Sequence, residues 1–320
     1  MLSNLLIVLP IFALILTGWV ARRCNALGPN ATREVNRLVV YLALPALLFD
    51  IMSKADPAEI WQPGFILAFS AGCAAIFALT LLIRLRQGCD LADAAIDALN
   101  ASYANTGFIG FPLVLAVLGN AAMGATLVAT IVTVCVLFAI AIVLIESGLQ
   151  AGARRRDIVR KTLVSLLKNP LLVAPALGAA VMLSGLRLPE TLDTYLGLLG
   201  GAAAPCALVA LGLFLAENTE RSRAGAGSSA GSGSAVQSAL VLLKLVAQPA
   251  VTWVVAVPVL GLSSTLAYTA VLLAALPTGT GPFMLAQFYQ REALLTGRVV
   301  LMSTVLSLVT VSTFLSLPLG

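Results

Sequence analysis

Two short runs place polar residues and helix breakers deep inside apolar sequence: NTGFIGFP, from Asn105 to Pro112, and PTGTGP, from Pro277 to Pro282. Neither holds a charged side chain, so any chemistry there must come from amides and hydroxyls. In the first run Pro112 has no N–H to offer the carbonyl of Phe108, and its ring clashes there as well. Gly107 and Gly110 permit unusual dihedrals and close backbone approach. Asn105 and Thr106 add polar side chains at nearly the same depth. The second run repeats the design with Pro277, Thr278, Gly279, Thr280, Gly281 and Pro282. Each break is expected to begin a half-helix, whose free N–H groups carry about half a positive charge. Two such ends brought together make a site for an anion such as a carboxylate, without a buried Lys or Arg. The candidate substrate-binding residues are therefore Asn105, Thr106, Gly107, Gly110, Pro112, Pro277, Thr278, Gly279, Gly281 and Pro282. The plainer alternative is a pair of proline kinks packed against neighbouring helices. Two breaks of like composition, each with a Thr-Gly step, weigh against it.

The elements that must position these runs follow from composition. The chain has 320 residues, 60% of them hydrophobic and 10% charged, with a mean hydropathy of +1.01. A soluble domain carries roughly a quarter charged residues, so this composition fits an integral helical membrane protein. In hydrocarbon a broken helix is tolerated only where it is buried in protein or lines a wet cavity. A matched pair of breaks, one in each half of the chain, is the pattern of a secondary transporter's binding site. The formal charge of +5 lies in short loops rather than on a basic face, so no nucleic-acid partner is expected. There is no histidine, and Cys24, Cys73, Cys89, Cys135 and Cys206 are scattered singly, which argues against metal, cofactor and disulfide roles.

Ten apolar segments can be marked: 5–21, 35–53, 63–83, 94–118, 122–146, 162–184, 190–215, 237–260, 264–290 and 294–317. Most have the length a helix needs to cross the hydrocarbon layer. Alternating the intervening loops between two sides places seventeen of the Lys and Arg residues on one side and only Lys54 and Arg187 on the other. That is a strong positive-inside signal, with both termini outside and the 147–161 loop in the cytoplasm. Pro10 and Pro170 lie 160 residues apart, as do Pro45 and Pro205, and the two Thr-Gly steps lie 172 apart. These offsets divide the chain into a first five-helix repeat, 1–146, and a second, 162–320, in which the flexible Gly/Ser-rich loop 221–235 absorbs the extra length. An odd number of spans per repeat makes the two copies inverted.

Other polar residues inside the segments are few. Asp97, with Asn100, lies in the inner half of the fourth segment, as a possible coupling pair, as a partner for an inside Arg or as an interfacial residue. Asp50 ends the second segment near the outer surface. Lys244 is expected to snorkel to the cytoplasm. Gln248–Pro249 kinks the eighth segment, and Gln287 and Tyr289 lie below the ninth-segment break, where they would line an inner vestibule.

Three elements carry a resemblance to a known family. NRLVVYLALPALLF (Asn36 to Phe49), ANTGFIGFPLV (Ala104 to Val114) and AALPTGTGPFMLAQFY (Ala274 to Tyr289) resemble signatures of the auxin efflux carrier family, which contains the plant PIN proteins and many bacterial members. The resemblance implies ten helices, a scaffold domain and a transport domain, and broken helices 4 and 9 that cross and bind substrate. Matched by residue, Asn105 and Pro112 fall on the first crossover element, and Pro277 and Pro282 on the second. It further implies transport of small organic anions across the cell (inner) membrane: auxin in plants, and dicarboxylates such as malonate or malate in bacteria. Proton or sodium coupling and a homodimer are carried by analogy alone. The long insert of many plant members is replaced by the short 147–161 loop, and their polar third-helix positions align with Ala68 and Gly72, which argues against auxin itself. Rival readings are a sodium-coupled carrier of the bile-acid-symporter kind, a non-transporting membrane sensor and an intramembrane hydrolase. Asp50 and Asp97 are expected at opposite faces and no histidine exists, so the hydrolase lacks a catalytic pair.

Overall fold

Backbone groups in an apolar setting must find partners within their own segment, and this chain does so with helices. The computed structural model describes residues 2–54, 61–149, 164, 167–186, 188–223 and 232–316. No strand occurs among them, and the exception to helical pairing is an isolated two-residue bridge, Ala104 with Thr278. The helices are α1 (Leu2–Arg23), α2 (Ala31–Ser53), α3 (Pro63–Arg86), α4 (Leu91–Ser102), α5 (Phe111–Leu118), α6 (Met123–Leu149), α7 (Pro170–Ser184), α8 (Glu190–Glu217), α9 (Ser234–Val259), α10 (Ser264–Ala274), α11 (Gly281–Phe288) and α12 (Ala293–Leu315). Six of them, α2, α3, α6, α8, α9 and α12, are long and apolar enough to cross a membrane, and α7 and α10 are shorter apolar helices. The fourth apolar segment is split into α4 and α5, and the ninth into α10 and α11, as the breakers require.

Proline explains several local irregularities. Wide turns of π type occupy Val39–Ala43, Thr106–Gly110 and Leu243–Ala247, each two residues ahead of Pro45, Pro112 or Pro249. A proline cannot supply the next N–H, so the turn before it relaxes to a wider spacing. The glycines serve close approach more than unusual dihedrals. A Cβ on Gly18 would fall 2.1 Å from the Val209 carbonyl oxygen, and one on Gly212 would fall 1.9 Å from that of Ile15, so α1 and α8 touch backbone to backbone. Such small-residue crossings replace the hydrophobic drive that lipid cannot provide.

Packing sorts the helices into two groups. One holds α1, α2, α7 and α8; the other holds α3, α4, α6, α9, α10 and α12. Of the 147–161 loop, residues 147–149 extend α6 and 150–161 lie outside the described residues. Of the stretch 221–235, residues 221–223 continue the helix of α8 past Glu217, 232–235 open the helix of α9, and 224–231 lie outside the described residues.

Candidate functional site

The two interruptions meet. The Asn105 N–H donates to the Pro277 carbonyl at 2.9 Å, and the Gly279 N–H donates to the Tyr103 carbonyl at 3.1 Å. Two segments that would each have stranded their peptide groups instead satisfy one another as a short antiparallel pair. Glycine is required on one side of it. A Cβ on Gly279 would lie 2.8 Å from the Tyr103 ring, and one on Gly281 would lie 2.7 Å from it. Gly110 sits near Leu273 and Leu276, whereas a Cβ on Gly107 would meet nothing within 4 Å. None of these four glycines adopts a positive φ, so the dihedral freedom expected of Gly107 and Gly110 is not what the break uses.

Beside this pair lies a cavity of about 320 Å³. Its polar wall is Asn105, Thr106, Gly107, Thr130 and Thr280; its apolar wall includes Leu44, Leu47 and Ile51 of α2, Phe111 of α5, Val134 of α6 and Met284 of α11. Gly200, Gly201, Ala203 and Ala204 of α8 complete it. Thr106 is fully buried and its Oγ1 has no hydrogen-bond partner. Among the described residues, nothing accepts from the backbone N–H of Gly107 or Thr280, and both residues line the cavity. Pro112 and Pro282 stand in the first turns of α5 and α11, where a missing N–H costs least.

The remaining sequence candidates support the crossing without lining the cavity. The buried Thr278 donates through Oγ1 to the Asn100 carbonyl at 2.8 Å, and its N–H donates to Ser303 Oγ at 3.1 Å. Asn100 Nδ2 donates to Thr296 Oγ1 at 2.9 Å. Asp97 is fully buried, which overturns the reading of it as an interfacial residue, and it takes the Arg84 Nε–H at 2.6 Å, as expected of a pairing with an Arg. Gly110, Pro112, Pro277, Gly279, Gly281 and Pro282 shape the break and stand back from the cavity.

Sequence reasoning misplaced Lys244. Lys244 does not snorkel: it is fully buried and its ammonium donates to the carbonyl of Ala274, the last residue of α10, at 2.7 Å. One turn along the same helix, Gln248 Nε2 donates to the carbonyl of Ser102, the last residue of α4, at 3.0 Å. Both freed C-terminal carbonyls are thus capped from one stripe of α9. Thr130 and the small residues of α8 were also missed, since a run such as Gly200–Gly201 carries no chemical signal and contributes only space. Thr280 was legible as the second threonine of PTGTGP.

A second opening of about 420 Å³ is lined by Arg33, Asn36, Arg37 and Tyr41 of α2 and by Gln287, Phe288 and Gln290. Gln287 therefore lines a cleft as expected, while Tyr289 turns aside and donates its hydroxyl to Glu146 at 2.7 Å. Near it Arg291 bridges Asp90 and Asp93, with its Nη2 2.8 Å from an oxygen of each. The hydrogen bond to Asp93 pushes the Arg291 guanidinium further into its charged range. At the opposite end of α2, Asp50 is bound by Lys54 at 2.8 Å, and Lys54 also holds Asp193 at 2.7 Å.

Comparison with known proteins supports the motif reading. Residues 5–315 match the family of membrane transport proteins. A protein of Rhizobium meliloti (strain 1021) described as "Putative malonate transporter" is 30% identical over 97% of this chain and 94% of its own length. The "Uncharacterized transporter YfdV" of Escherichia coli (strain K12) is 27% identical over 65% of this chain and 67% of its own length. An "Uncharacterized transporter" of Methanothermobacter thermautotrophicus is 26% identical over the same shares. The chain belongs to the membrane transport protein family, that of the auxin efflux carriers, and is a multi-pass membrane protein. Membership places it among transporters, not among intramembrane hydrolases.

Proposed function

We propose that this member of the membrane transport protein family moves small organic anions across the cell (inner) membrane, mono- or dicarboxylates such as malonate or malate. One observation carries the reading. Two half-helix N-termini, one from each break, bring Gly107 and Thr280, whose N–H groups have no acceptor among the described residues, to the wall of one cavity, beside Asn105 and the orphan hydroxyl of Thr106. A carboxylate there would take up these donors while the aligned peptide dipoles offset its charge. The apolar wall of Leu44, Leu47, Ile51, Phe111 and Met284 keeps the local dielectric low and so strengthens each charge-assisted bond. The similarity to a protein described as a malonate transporter supports a short dicarboxylate as the first substrate to test.

The cavity and the basic cleft follow the same two segments. One lies along Leu44–Ile51 and the 280–284 stretch, the other along Arg33–Tyr41 and the 287–290 stretch. We read them as the outer and inner vestibules of one route, with the Arg33–Arg37 end in the cytoplasm, both termini outside and ten helices forming two inverted repeats. In this reading the group of α1, α2, α7 and α8 is the scaffold, and the rest rocks against it about the crossing. Asp97 and Asn100, anchored by Arg84 and Thr296, are the candidates for coupling.

Purified protein in liposomes, given labelled malonate, malate and a panel of monocarboxylates, tests the proposal. Accumulation or exchange of at least one of them supports it. Binding without movement would identify a sensor, and neither binding nor movement of any carboxylate would reject the anion site.

A further inference from the structure

Half-helix C-terminal ends carry partial negative charge, and in carriers built on broken helices such ends commonly coordinate a cation. Here the carbonyl end of α10 already meets one. Lys244 is 0% exposed, its ammonium is 2.7 Å from the Ala274 carbonyl oxygen, and among the described residues no carboxylate lies within ion-pair distance of it. A buried ammonium without a counter-ion is costly, so the carbonyl end of α10 is what holds it. Gln248, also fully buried, completes the arrangement through the Ser102 carbonyl and Cys73 Sγ. The other repeat has no equivalent. Counting back by 172 residues, the offset of the two Thr-Gly steps, Lys244 falls on Gly72, where a Cβ would lie 2.0 Å from Thr252 Oγ1. One repeat is thus pressed shut at this position, and the other carries a charge.

We infer that the Lys244 ammonium is a resident cation, standing where a coupling sodium would otherwise bind, so that the crossing keeps its positive balance and takes its anion without sodium. Lys244 is in this sense a positioning residue: it reaches neither the cavity nor a substrate, and acts by fixing the carbonyl end of α10 behind the N-terminal ends that do. The anion half of this statement rests on the proposed function; the cation half does not.

The experiment is thermal unfolding of the purified full chain in NaCl, KCl and choline chloride, with and without malonate. Without malonate, the wild-type midpoint is expected to be the same in all three salts. Lys244→Ala opens the position and is expected to gain a rise specific to sodium, since a bound ion stabilises the state that binds it. With malonate, the wild-type shift is expected to be independent of the cation, and Lys244→Met, which keeps the length and loses the charge, is expected to bind malonate about tenfold or more weaker. The inference is overturned by a sodium-specific rise in the wild type, by no sodium response in Lys244→Ala, or by unaltered malonate affinity in Lys244→Met. Should neither variant yield folded protein, the wild-type salt series alone decides. Should no carboxylate shift the wild type, the anion reading fails, and the malonate-free arm still judges the resident cation.

Discussion

The crossing exposes two kinds of helix end to two different fates. The carbonyl ends of α4 and α10 are closed: Gln248, Lys244 and Thr278 cap them, and all three are fully buried. The amide ends that begin the 106–118 stretch and α11 are left open, with the N–H groups of Gly107 and Thr280 and the Thr106 hydroxyl unpartnered beside a cavity. A fold that only needed to tolerate two broken helices would cap both kinds. Leaving one kind unsatisfied costs stability that a bound anion would return, and this contrast supports the proposed site over a packing defect.

This contrast can be broken outright at the bridge that holds the ends in register. Gly279→Val sets a branched side chain against the Tyr103 ring, already 2.8 Å from an added Cβ, and is expected to cost about 3 kcal/mol or more by overpacking. Size-exclusion profiles should show loss of the folded peak, and a smaller side chain at position 103 beside Gly279→Ala should recover part of it. Removing a cap without touching the cavity comes next. Gln248→Leu leaves the Ser102 carbonyl bare and should destabilise by about 1–3 kcal/mol, read as a lower unfolding midpoint with malonate affinity within a few-fold of wild type. The opposite pattern is expected on the open side. Asn105→Ala should keep the midpoint and lower transport about tenfold or more, the worth of one charge-assisted hydrogen bond. The smallest effect belongs to Thr106→Val, which deletes a buried, unpartnered hydroxyl. Its midpoint should hold or rise, while affinity falls about threefold to tenfold.

The open ends were the part legible in the sequence, because proline and glycine announce a break whatever surrounds it. NTGFIGFP and PTGTGP located both, and Asn105 and Thr106 are among the residues that line the cavity those breaks border. The closed ends were not legible. A lysine near the start of an apolar run reads as a snorkelling residue, since nothing local tells that Ala274, thirty residues on, will bring it a bare carbonyl. The pairing of Asn105 with Pro277 is likewise long-range. Periodicity gives the segments, but not which neighbour completes their hydrogen bonds. Gly200 and Gly201 were invisible for a third reason: they shape the cavity by having no side chain.

The most direct test is a structure of the protein bound to malonate. A carboxylate group within hydrogen-bonding distance of the Gly107 and Thr280 N–H groups, beside Asn105, is the expected result. Malonate held instead at Arg33 and Arg37 in the basic cleft, with the amide ends still vacant, would contradict it.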